Sequence, residues 1–115
     1  MISSAHWKQM SPEHADLIGK VKNEIHSIVP GAEIILYGSH ARGNADQYSD
    51  WDLLILVDQP LDRNLITKIR DCLYELELKA DTVLSSIIRV RKDWYSPQYN
   101  VLPLKKAIEQ EGVLL

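Results

Sequence analysis

The chain has 115 residues, 45 % hydrophobic and 25 % charged, an ordinary globular balance that argues against disorder and predicts one domain over residues 1–115. A single cysteine, Cys72, excludes an internal disulfide and a four-cysteine zinc site. The formal net charge of −3 counts against a dedicated nucleic-acid binder, and no run of 18 apolar residues is present to cross a membrane.

The N-terminal MISSAHWKQM lacks an apolar signal segment, so a cytoplasmic, reduced setting is expected. Ser11-Pro12-Glu13 opens a helix: serine caps, proline suits the first turn and the acid complements the dipole. Leu17, Val21, Ile25 and Ile28 continue it at helical spacing until Pro30-Gly31. Residues 32–37 (AEIILY) form a short apolar run that reads as a buried strand. Residues 38–50 are rich in Gly, Ser, Asn and Asp, with room for one helical turn at Ala41-Arg42. A second strand is expected over 51–57 (WDLLILV), then a helix capped by Asp62 carrying Leu65, Ile69, Leu73 and Leu76. Residues 80–90 (ADTVLSSIIRV) read as a third strand, 93–103 as a loop, and Pro103 to Gly112 as a last short helix. The order predicts an α+β fold: a small mixed sheet with helices packed on one face, the other face awaiting substrate or a partner chain.

The chemistry concentrates between residues 38 and 53. Asp50 and Asp52 lie two apart at a strand start, so both carboxylates point to one face. Two anions side by side are costly without a cation between them, and magnesium, a hard ion that favours one or two carboxylates plus phosphates, fits the pair. Gly38-Ser39 follows the preceding strand, where glycine permits close approach of a phosphate to backbone N–H groups and the Ser39 hydroxyl. Arg42, one turn on, offers a fixed positive charge to the same oxygens. Alone, a Gly-Ser is usually a turn and an Asp-x-Asp usually a solvated strand edge. Their placement on successive strands rarely arises by chance.

The string Tyr37-Gly38-Ser39, ten residues, then Asp50-Trp51-Asp52-Leu53 resembles the minimal nucleotidyltransferases of the DNA-polymerase-β-like superfamily. The longer strings Gly38 to Gly43 (GSHARG) and Ser49 to Leu53 (SDWDL) are similar to those of the minimal group. The resemblance implies a polymerase-β-like palm and a third carboxylate on a later strand, for which Asp81 is the candidate; the other reading has Asp81 closing the preceding helix. It implies catalysis by Asp50, Asp52 and Asp81 holding two Mg2+ ions, with the nucleotide gripped by Gly38, Ser39 and Arg42. It further implies transfer of AMP from ATP to a hydroxyl, a tyrosine of a HEPN-type toxin partner, which makes the chain an antitoxin.

Two other functions compete: a binding antitoxin that neutralises its partner by contact alone, and the catalytic subunit of a small-molecule transferase resembling aminoglycoside nucleotidyltransferases. An uncovered sheet face favours self-association or a heteromeric complex. Among the remaining residues, His6, His14, His26 and His40 form no closely spaced ligand pair, and Cys72 reads as a half-buried apolar residue. Trp51 reads as core. Trp94, Tyr95 and Tyr99 serve either a partner surface or packing over the sheet, and Arg89, Arg91 and Lys92 form a basic strand end.

Overall fold

The computed structural model describes residues 11–115; His6 lies outside them. Helix α1 (Pro12–Ile28) begins as the sequence dictates, with the Ser11 hydroxyl accepting from the His14 N–H. Strand β1 (Glu33–Tyr37), the one-turn helix α2 (Ser39–Arg42) and strand β2 (Trp51–Val57) follow. Helix α3 (Arg63–Ala80) is capped by Asp62, whose carboxylate accepts from the Leu65 N–H at 2.8 Å. Strand β3 (Leu84–Val90) leads into helix α4 (Arg91–Trp94), a 3-10 turn (Pro97–Val101), helix α5 (Pro103–Glu111) and the short strand β4 (Val113–Leu114).

The four strands run in the order β3-β2-β1-β4. β1 pairs antiparallel with β2 and β4, while β2 and β3 are parallel, as the α3 crossover between them allows. Strand alternation sends Ile34, Leu36, Trp51, Leu53, Ile55 and Val57 to one face, where Ile18, Val21 and Ile25 of α1 and Ile69 and Leu73 of α3 close the main core.

The second face is not bare. Ile35, Leu54 and Leu56 are buried under Trp94 of α4 and Ile108 of α5, with Tyr37 and Tyr99 packed beside them. The expected α+β sheet with its long helices α1 and α3 on one face is present, and the C-terminal segment folds back as a small cover over the other. Lys105 anchors that cover. It is 3 % exposed, and its ammonium donates to the Trp94 carbonyl and to Asn100 Oδ1, both at 2.8 Å. Among the described residues no helix is long and apolar enough to cross a membrane.

The third strand begins later than its sequence indicates. Asp81 adopts a left-handed conformation (φ 52°, ψ 50°) as the C-cap of α3, and its N–H donates to the Glu77 carbonyl. Asp tolerates that conformation better than most residues. The Glu77 carboxylate then accepts from the Leu84 N–H at 2.7 Å, setting the start of β3 three residues beyond Asp81.

Candidate functional site

The site sits where β1 ends and β2 begins. Gly38, at φ +78°, turns the chain from β1 into α2. A β-carbon there would collide with Oδ2 of Asp52 and stand 3.1 Å from its Cγ. Glycine is required twice over, for the left-handed backbone and for the space that the carboxylate fills. The Gly-Ser turn and the second aspartate are thus in direct contact, which no spacing in the sequence reveals. Gly43 (φ +79°) ends α2 in the left-handed region, so both glycines of the GSHARG string have a backbone reason to be there. Between them Ala41 packs on the main core, which fixes the direction in which the short helix presents Ser39, His40 and Arg42.

Asp50 immediately precedes β2, and Asp52 is its second residue, opposite Tyr37 across the antiparallel pair. The two carboxylates feel each other. Asp52 is held above the usual carboxylate range, first by burial and then by the charge of Asp50; His40 and Arg42 offset this only in part. The Tyr37 phenol is pushed up by burial and by the Asp52 charge. Arg42 projects toward the C-terminal helix, where its Nη1 lies 3.1 Å from Glu111 Oε1.

Asp81 does not join the pair. It is exposed on the turn after α3 and lines the rim of a cleft of about 540 Å³ between the start of α1 and the end of α3, along with His14, Lys20, Asp46 and Lys79. None of Gly38, Ser39, Asp50 or Asp52 lines that cleft. In the parallel register Asp52 stands beside Ser85, and β3 (LSSIIRV) contains no acid. Among the described residues no three His, Cys, Asp or Glu side chains gather to hold a metal. Of the expected catalytic and metal-holding residues Asp50, Asp52 and Asp81, the structure brings the first two together and leaves the third apart. The reason is local: the left-handed cap at Asp81 ends α3 outside the sheet.

Sequence reasoning missed His40. Its ring stacks on Trp51 with centroids 3.6 Å apart and planes 8° from parallel, and its Nε2 donates to the Ser49 carbonyl at 3.1 Å. His14, exposed on the first turn of α1, sets its ring edge-on to both, at 5.6 Å and 4.9 Å. Burial lowers the His40 pKa, with the Ser49 hydrogen bond opposing. His40 occupies the variable position of its motif, and only the alternation that turns Trp51 inward hints at the contact. In the Trp94-to-Tyr99 segment Trp94 is buried with Tyr99 against it, whereas Tyr95 is exposed and donates to Glu33 Oε1 at 2.8 Å. Arg91 is committed to Asp58, Glu33 and the Gly31 carbonyl, far from the aspartates.

A glycine-serine turn pressed against an aspartate pair at the head of the neighbouring strand, on a mixed sheet backed by two helices, defines the architecture of a nucleotidyl-transferring palm. The profile of the nucleotidyltransferase domain matches residues 18–115, and the chain belongs to that family. A relative from Methanocaldococcus jannaschii named as a protein adenylyltransferase is 36 % identical over 78 residues, 66 % of this chain and 79 % of the relative. The Haemophilus influenzae protein named as the protein adenylyltransferase MntA is 33 % identical over 58 residues, 50 % of this chain and 51 % of that protein. Two crystal structures share the fold. A toxin–antitoxin with AMP-PNP gives a TM-score of 0.60 at 18 % identity, covering 84 % of this chain and 69 % of that one. A mutant of the toxin–antitoxin MntA–HpeT gives 0.59 at 20 %, covering 85 % and 70 %.

Proposed function

We propose that the chain transfers AMP from ATP to the hydroxyl of a protein acceptor, a tyrosine on a HEPN-type toxin partner, and so acts as the antitoxin of the pair. The observation that carries this reading is the contact of the Gly38 turn with Asp52, which puts a phosphate-binding bend and an anionic pair within one side chain of each other. The names of the relatives, protein adenylyltransferase, support the acceptor class.

The donor set fits magnesium. Burial and then the charge of Asp50 hold Asp52 above the usual carboxylate range, and His40 and Arg42 offset this only in part, so the pair suits a hard dication with oxygen ligands. When bound, magnesium neutralises charge on the phosphates and favours ionisation of the attacking hydroxyl. The chain's own residues do the rest. Asp50 and Asp52 would hold the cation, and the Gly38-Ser39 turn would offer N–H and hydroxyl donors to the triphosphate. Arg42 adds a guanidinium that pairs with phosphate oxygens once it leaves Glu111. The acceptor oxygen bonds to the α-phosphorus, the bond from that phosphorus to the bridging oxygen breaks, and pyrophosphate departs. With no acid on β3, the acceptor proton passes to an aspartate of the pair or to solvent.

The test is incubation of the purified protein with magnesium, ATP labelled at the α-phosphate, and a HEPN-type toxin. Label on a toxin tyrosine is the expected outcome. A stable complex without label would leave neutralisation by contact alone, and label on an added aminoglycoside but not on protein would give a small-molecule transferase.

A further inference from the structure

We infer that His40 is a positioning residue that locks the phosphate-binding turn to the aspartate pair. This inference rests on the nucleotide site proposed above and assigns a role to a side chain that touches neither phosphate nor metal in it.

The two halves of the site come from different segments. Gly38, Ser39 and Arg42 belong to the β1–α2 junction, and Asp50 and Asp52 to the head of β2, with a polar loop of residues 43–49 between them. That loop has its own local order: the Asp46 carboxylate accepts from the Tyr48 N–H at 2.8 Å, and the Ser49 hydroxyl accepts from the Asp46 N–H at 3.0 Å. The start of the loop is bonded back to α2 by the Asn44 N–H, which donates to the Ser39 carbonyl at 3.1 Å, but none of these bonds ties the Ser49-Asp50 end to α2.

His40 supplies the tie. It is the second residue of α2, next to Ser39, and its Nε2 reaches the carbonyl of Ser49, the residue immediately before Asp50. Its ring lies flat on Trp51, the residue between the two aspartates. One imidazole therefore holds the main chain on one side of Asp50 and the side chain on the other. Trp51 is 3 % exposed and locked in the main core, so the stack refers α2 to a rigid element rather than to solvent. A carbonyl accepts, so Nε2 must carry a proton; burial favours the neutral ring, and the neutral tautomer protonated at Nε2 satisfies the bond. The stack sets the plane of the ring, and the hydrogen bond fixes Asp50 along the strand. Metal-dependent nucleotide binding needs both halves in register; nucleotide binding without metal uses only the turn.

Substitutions separate the two contacts. His40→Phe keeps a flat ring on Trp51 and loses the donor. His40→Gln keeps a donor at the Nε position and loses the stack. ATP binding is measured calorimetrically with and without magnesium, beside the thermal melt of each variant. His40→Phe is expected to weaken ATP binding in magnesium by about tenfold, to raise the magnesium concentration needed at half-saturation, and to leave magnesium-free binding and the melting temperature near wild type. His40→Gln should recover most of the magnesium-dependent affinity even where its melt is lower. Wild-type affinity in His40→Phe, or equal losses with and without magnesium, would overturn the positioning role while leaving the nucleotide site standing. Failure of the wild-type protein to bind ATP in magnesium would overturn both.

Discussion

The two ends of the sheet treat charge in opposite ways. At the end where β1 starts and β2 and β3 finish, Arg91 Nη1 bonds both oxygens of Asp58 at 2.6 Å and 2.7 Å; its Nη2 donates to the Gly31 carbonyl, and its Nε lies 3.7 Å from Glu33. Tyr95 completes that group through Glu33. At the other end the charges of Asp50 and Asp52 oppose each other, and the guanidinium that offsets them in part, that of Arg42, is bonded to Glu111. The first arrangement holds the fold together, because each acid has a partner. The second carries an unbalanced charge that the fold tolerates, as sites awaiting a cationic ligand do.

The largest effect expected from breaking this contrast is at Asp52. Because its folded-state pKa is raised, the ionised carboxylate disfavours folding; that cost is absent at low pH and fully present once the pH has risen through the folded-state value. Asp52→Asn removes the charge. It should reduce transfer by at least ~100-fold while melting at or above wild type at pH 7, and its advantage should shrink as the pH falls. A melting temperature well below wild type would show that the carboxylate is structural. Next comes Gly38→Ala, which forces a β-carbon into the Asp52 carboxylate and an alanine to φ +78°. The backbone strain alone costs about 1–2 kcal/mol. Transfer should fall further than stability does, as read by transfer assays alongside chemical denaturation, because in the proposed site the displaced carboxylate is one that would hold the cation.

At the opposite end the expectation inverts. Arg91→Ala leaves Asp58 and Glu33 without their shared cation and strips a donor from Gly31, at a cost of about 1–2 kcal/mol for this partly exposed network. Transfer measured well below the melting temperature should be unchanged. A loss of activity larger than the loss of folded protein would mean that the two ends communicate through β1 and β2.

The sequence makes one half of this contrast legible. Strand alternation at Asp50 and Asp52, the glycine after β1 and the helical periodicity of α1 and α3 are local signals, and each element forms where they point. What could not be read depends on contacts distant in the chain. Arg42 meets Glu111 only because α5 folds back over the second face, and Trp94 is buried only under the same cover. His40 meets Trp51 across the loop. The start of β3 is a conflict between two local preferences at Asp81, strand continuation after a helix and the tolerance of aspartate for a left-handed cap, and the Glu77 side chain decides it. Asp81 therefore looks like a third ligand in sequence and stands in space on a cleft that His40 and Trp51 line but Asp50 and Asp52 do not.

The smallest effect, and the sharpest check on the well-paired end, lies at Tyr95. Its phenol is pushed up to about 12, first by burial and then by its bond to Glu33. The folded state thus holds the phenolic proton more tightly than the unfolded chain does. The stabilisation is whole below the unfolded value of 10.0 and is lost as the pH rises from there toward about 12. Tyr95→Phe keeps the ring that faces the Lys105 ammonium at 5.6 Å and deletes only the hydroxyl. Wild type should exceed the variant by under ~1 kcal/mol at neutral pH, since this bond is partly exposed to water. Urea denaturation of both proteins across the alkaline range should show that gap constant up to about pH 10 and closing above it. Subtracting the variant cancels the lysines, which titrate in the same range in both proteins, so a gap that stays level to pH 12 would mean that the phenol ionises without reference to Glu33. The paired end would then owe its order to Arg91 alone, and its contrast with the aspartate end would rest on one guanidinium rather than on a network.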